Sequence, residues 1–135
     1  MLRVFDVVTG RLRSFAAPPG TSGWIANHGG FVDVSAIARS GTMMAADAVI
    51  PPGGHGRVRA FVLRLADGYR RPTAVPSSTA FLWAVMAWSA RGSWLLYQGP
   101  GTHMWAYQVT TGRVRSSRTP CCQYTVMATI TSPAR

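Results

Sequence analysis

Three times in 135 residues an apolar run closes on a turn glycine and leads into an arginine-bearing return run. The first copy reads Val4-Phe5-Asp6-Val7-Val8-Thr9-Gly10-Arg11-Leu12-Arg13. The second is Leu63-Arg64-Leu65-Ala66-Asp67-Gly68-Tyr69-Arg70-Arg71, and the third Tyr107-Gln108-Val109-Thr110-Thr111-Gly112-Arg113-Val114-Arg115. Counting back from each Gly, large apolar residues stand at the same offsets: Phe5 and Val7, Leu63 and Leu65, Tyr107 and Val109, with Arg3, Phe61 and Trp105 one step earlier. Residues two apart share one side of a strand, so each copy is predicted to turn an apolar stripe towards a core. Thr-Gly or Asp-Gly at the end of such a run suits a hairpin, because Gly accepts positive φ without steric cost. Arg11, Arg13, Arg70, Arg71, Arg113 and Arg115 then fall on the outgoing strand. Charge there discourages an outermost strand from pairing with other chains, which accounts for these arginines without a ligand.

A second element precedes two of the copies. Phe31 to Ala38 alternates, turns at Arg39-Ser40-Gly41 and continues as Thr42 to Ile50. Phe81 to Trp88 does the same, turning at Ser89-Ala90-Arg91-Gly92 into Ser93 to Gln98. Two four-stranded meanders are therefore predicted, over 31–74 and 81–117. Residues 1–15 supply the last two strands of a further unit, and 124–130, alternating from Tyr124 to Ile130, its first strand. The turn glycines lie 58 and 44 residues apart, and the second value is a usual period for a four-stranded propeller blade. The expected class is all-β, with antiparallel four-stranded propeller-type blades in an incomplete or open array. At that period the chain holds about three blades, below the usual minimum of about four. It therefore reads as a fragment of a larger propeller, or as an array completed by association.

The stretches Ser89-Ala90-Arg91-Gly92-Ser93-Trp94-Leu95-Leu96-Tyr97 and Val109-Thr110-Thr111-Gly112-Arg113 resemble the WD40-like propeller repeats of the TolB type. In those repeats a Ser-Pro-Asp-Gly-like turn joins the first two strands, and an aspartate-or-threonine-Gly turn joins the last two. The chain departs from that pattern where Ala90-Arg91 and Arg39-Ser40 replace the Pro-Asp pair, and it has no Gly-His or Trp-Asp pair. The resemblance implies a binding or scaffold module. It assigns no activity, since one architecture hosts many functions.

Charge points elsewhere at first. The net charge is +10, the footprint of a nucleic-acid binder. Yet every basic side chain is Arg and every acid Asp, a composition that GC-rich codons explain as well as phosphate contacts do. The arginines are scattered, and the five Trp and four Tyr mostly hold alternating strand positions, where they pack a core. A basic nucleic-acid-binding module using surface arginines is the alternative reading. Met1 leads straight into a strand without a secretory signal, and Ala80 to Trp88 is too short to span a bilayer. The location expected by default is cytoplasmic, or extracytoplasmic if a signal lies upstream.

Chemistry-bearing residues are sparse. Cys121-Cys122 has no second pair to complete a zinc site, and adjacent cysteines strain the peptide of any ring they close. Pro51-Pro52-Gly53-Gly54-His55-Gly56 lacks the Lys-Ser/Thr end of a phosphate loop, and the glycines of Gly20-Thr21-Ser22-Gly23 do not flank Ser22 in the pattern of a nucleophile elbow. With four dispersed Asp and no Glu, paired carboxylates are hard to assemble, so no catalytic set, metal site or cofactor is expected. Asp6 and Asp67 are expected to cap their own turns. His28, His55 and His103 all stand in Gly-rich loops, the positions that line a propeller face, and are the candidate binding residues. The expected role is a noncatalytic interaction module for a protein or small-molecule ligand. Its unpaired blades should make the chain self-associate.

Overall fold

A computed structural model of the chain describes residues 1–25, 37–51, 57–65, 71–81, 86–98 and 103–117. Among them there is no helix, and every strand pairing is antiparallel. The protein is all-β, as the alternation requires. β1 (Leu2–Asp6) and β2 (Arg11–Phe15) form a hairpin. The second sheet has five strands. β3 (Gly23–Trp24), β4 (Met43–Val49), β5 (Arg57–Arg64) and β6 (Thr73–Ala74) are neighbours in that order, and β7 (Ala80–Phe81) also pairs with β5. The third is a four-stranded meander of β8 (Met86–Trp88), β9 (Trp94–Gln98), β10 (Met104–Gln108) and β11 (Val114–Ser117).

The five-stranded sheet is the middle layer. Over residues 44–46 of β4 and 60–63 of β5 successive side chains on both faces are apolar and buried, which marks strands covered on both sides. Ala45, Ala60 and Val62 turn to one side and pack with Met86, Trp88, Leu95, Tyr97 and Tyr107 of the four-stranded sheet. Met44, Ala46 and Leu63 turn to the other and pack with Leu2 and Phe15 of the hairpin. The small residues of β4 let the layers approach closely. Ser78, fully buried, closes the β5 edge beyond β6: its hydroxyl accepts the Ala60 N–H at 3.1 Å and donates to the Val75 carbonyl at 2.7 Å.

β3 had no signal in the sequence, since two residues show no period. Its Trp24 explains it: the indole Nε1 donates to the Phe15 carbonyl at 3.1 Å, and its ring meets Phe61 edge-on at 6.0 Å between centroids. The return strand expected at Tyr69-Arg70-Arg71 is displaced. Residues 66–70 lie outside the described residues, and the chain rejoins β5 only at β6, through Val62↔Thr73 and Phe61↔Ala74. The expected strand over 124–130 and most of that over 31–38 also lie outside them. The end of the latter is seen, as Ile37 bridges Met44.

The repeat read from the letters recurs in backbone bonds. Ala38 N–H donates to Met43 O at 2.9 Å, and Ser89 N–H to Trp94 O at 2.8 Å. Gly41 N–H meets Ala38 O as Gly92 N–H meets Ser89 O, and both glycines have φ near +67°, at +68° and +66°. Leu65 N–H donates to Thr42 O, and its counterpart Val109 N–H to Ser93 O. The turn after β1 matches the turn after β10: Gly10 N–H to Asp6 O and Gly112 N–H to Gln108 O are both 2.8 Å.

Tyr97 anchors the interlayer core. Its ring is buried, and its hydroxyl donates to the Pro76 carbonyl. Burial, with a smaller contribution from Tyr107, pushes its phenol up to about 12 from 10.0. The unfolded chain gives up this proton near the ordinary value and the native state holds it. Stability should therefore fall as pH rises from about 10 to about 12 and lose nothing further from this group beyond that. Urea midpoints measured across that window should slope downwards, and Tyr97→Phe should flatten the slope.

Candidate interaction surface

The hairpin turn is built by Asp6. Its carboxylate accepts the Val8 N–H at 2.9 Å, the Thr9 N–H at 3.2 Å and the Thr9 hydroxyl at 2.7 Å, as an Asx turn does. The Thr9 hydroxyl first, then the two backbone N–H groups, hold this carboxyl below its ordinary range. In the matching turn Thr111 donates its hydroxyl to the Gln108 side chain at 2.6 Å. Asp6 is thus committed to backbone geometry, as the sequence suggested. Asp67 lies outside the described residues.

The hairpin faces the opposite way from the sequence expectation. The stripe Arg3-Phe5-Val7 points outwards, and Leu2 and Val4 pack inwards with Phe15. Phe5 is 60% exposed, its register partner Leu12 58%, and Val7 82%. The equivalent stripes on the other copies are covered: Phe61, Leu63, Leu65 and Tyr107 are buried, and Trp105 and Val109 pack against the core. Offsets from the turn glycine fix which residues share a face. They do not fix which face meets another sheet, and among the described residues the hairpin has a neighbouring layer on one side only.

Beside this face a cleft of about 410 Å³ runs between the hairpin and one end of the middle sheet. Val4, Phe5 and Val7 line one wall, and Ile37, Gly41 and Leu65 the other. Asp6 and Arg13 are its charged lining. An apolar cleft with few polar groups is a binding geometry. The sequence signal for it is the pair Phe5 and Val7, which the repeat offsets place on a core stripe.

The candidate histidines are not gathered by the described structure. His28 and His55 lie outside the described residues. His103 stands immediately before β10, partly buried. Its Nδ1 and the Nε1 of Trp105 are enclosed without a hydrogen-bond partner. Among the described residues no three His, Cys, Asp or Glu side chains approach closely enough to hold a metal, and no helix is long and apolar enough to cross a membrane. Cys121 and Cys122 lie outside the described residues.

The return-strand arginines occupy sheet edges. Arg11 and Arg13 are on β2, Arg113 precedes β11, and Arg115 lies on β11. Arg71 precedes β6, and Arg70 is outside the described residues. The Arg115 guanidinium sits 5.2 Å from the centre of the Trp94 ring, a cation–π contact across the outer face of the four-stranded sheet. β2 and β11 belong to the first and third layers, so these arginines do not form one continuous stripe.

Comparison with protein-family models, curated proteins and solved structures returned no match.

Proposed function

We propose that the protein is a noncatalytic interaction module of propeller-type blades in an open array, binding a protein partner at the hairpin surface. The observation that carries this reading is the apolar face of Phe5, Val7 and Leu12, exposed beside a cleft, on a sheet that among the described residues has two strands where its counterpart has four. Exposed contiguous apolar surface of this kind marks interaction sites. The repeated turns and backbone bonds support the blade reading, because successive sheets share one plan and stack face to face. Light scattering on the purified chain tests it. The wild type should exceed the monomer mass through this face, and Phe5→Ser with Leu12→Ser should return it to monomer. Identical monomers for both chains would remove the reading.

A second reading, binding of nucleic acid, is favoured by Arg11, Arg113 and Arg115, all exposed on or beside edge strands. Anisotropy of a labelled single-stranded oligonucleotide, titrated with salt, separates the two. The interaction-module reading predicts weak association that is gone at physiological salt. Affinity that persists there and falls in Arg113→Ala with Arg115→Ala would select the nucleic-acid reading.

A further inference from the structure

The two repeated sheets show how adjacent layers meet at their first turns. A Cβ placed on Gly92 of the four-stranded sheet would lie 3.4 Å from the Cβ of Ala38 in the middle sheet. Ala38 thus seats against the turn glycine of the next layer. Gly41 is the counterpart of Gly92, with the same hydrogen bond and nearly the same φ. Around a Cβ on Gly41 no atom lies within 4 Å among the described residues, and Gly41 opens into the cleft with Ile37 and Leu65.

The strand correspondence locates the same place from the other side. The matching turns equate β1 with β10 and β2 with β11. β10 is flanked by β9 and β11, whereas among the described residues β1 is hydrogen-bonded to β2 alone. Gln108 N–H donates to Arg113 O at 2.8 Å, so its counterpart pair Asp6↔Arg11 takes the hydrogen-bonded position. Antiparallel pairs alternate, which leaves Arg3↔Ser14 and Phe5↔Leu12 in non-hydrogen-bonded positions. The backbone groups of Arg3 and Phe5 therefore face the edge of β1 with which no strand among the described residues pairs.

We infer that the cleft receives an antiparallel strand–turn–strand segment of another polypeptide. One of its strands adds to this edge of β1, and a small residue before its turn seats on Gly41. This rests on the interaction-module reading and names the class of partner: alternating apolar strands joined by a small-Xaa-Xaa-Gly turn. Backbone bonds to β1 supply the docking, and the apolar wall of Ile37 and Leu65 selects the side chains, as in other strand additions. Ala38 and Ser89, which begin the two turns of this chain, show the residue size the seat accepts.

The probe is a fluorescently labelled synthetic peptide of residues 86–98, the chain's own strand–turn–strand, titrated with the full chain and followed by anisotropy. Saturable binding is expected, weakened on the order of tenfold or more by Ile37→Lys and by Phe5→Pro. Both positions are exposed, so both variants should keep the fold, which far-UV circular dichroism checks. A peptide carrying Ser89→Trp should bind on the order of tenfold more weakly, because the bulk meets Gly41. Absence of saturable binding, or binding that neither chain variant weakens, overturns the inference. If the peptide fails while Phe5→Ser with Leu12→Ser still lowers the solution mass, strand recognition falls and the interaction module stands. If both fail, neither does.

Discussion

Leu95→Ala should lower the unfolding free energy by about 2–5 kcal/mol, the range for a buried leucine truncated in a packed core. Leu95 is 0% exposed. It stands opposite Trp88 on β8 and Tyr107 on β10, at the centre of the layer between the four-stranded and middle sheets. Neighbours fixed in two sheets cannot close over the space, so both the transfer and the cavity contributions apply. Urea unfolding followed by tryptophan fluorescence should show a lower midpoint with an unchanged slope. A loss under about 1 kcal/mol would mean that the layers do not pack as described.

Leu63→Ala tests the other interface. It is 1% exposed and packs with Leu2, Phe15 and Met44 between the middle sheet and the hairpin. A loss of about 2–5 kcal/mol is again expected. Whether the hairpin unfolds with the rest decides how the loss appears. If the three layers are one cooperative unit, fluorescence and far-UV circular dichroism will give one coincident transition for the variant. Separate transitions would show that the hairpin detaches first, and that its attachment to the middle sheet is the weaker interface.

Much of this was legible before any coordinates. The turn glycines at 10 and 112 take positive φ as the Thr-Gly pairs implied, and Gly41 and Gly92 close the first turns as the second repeated element implied. Tight turns are local: a few residues and one glycine decide them, so the letters suffice. The meander from β8 to β11 follows directly, because its connections include two such turns. β3, β6 and β7 were illegible or displaced because each has two residues, too few for a period. They exist through pairing with long strands and through single contacts such as the Trp24 indole bond.

The candidate site was less legible than the fold. Histidines in Gly-rich loops were singled out by residue type, and only His103 falls among the described residues. Phe5 and Val7 fall on the expected core stripe by their offsets, and the structure turns them to solvent. Periodicity is blind to which side of a strand another layer occupies.

The all-β class and the turn positions were settled by the sequence alone, since each depends on residues a few positions apart. The tertiary structure alone decided three things: that the middle sheet is covered on both faces, that the hairpin turns Phe5 outwards, and that among the described residues β1 pairs with β2 alone. These depend on contacts between residues far apart in the chain, such as Leu2 with Leu63 and Ala38 with Gly92. Packing of that kind is a property of the assembled layers, and no local pattern encodes it.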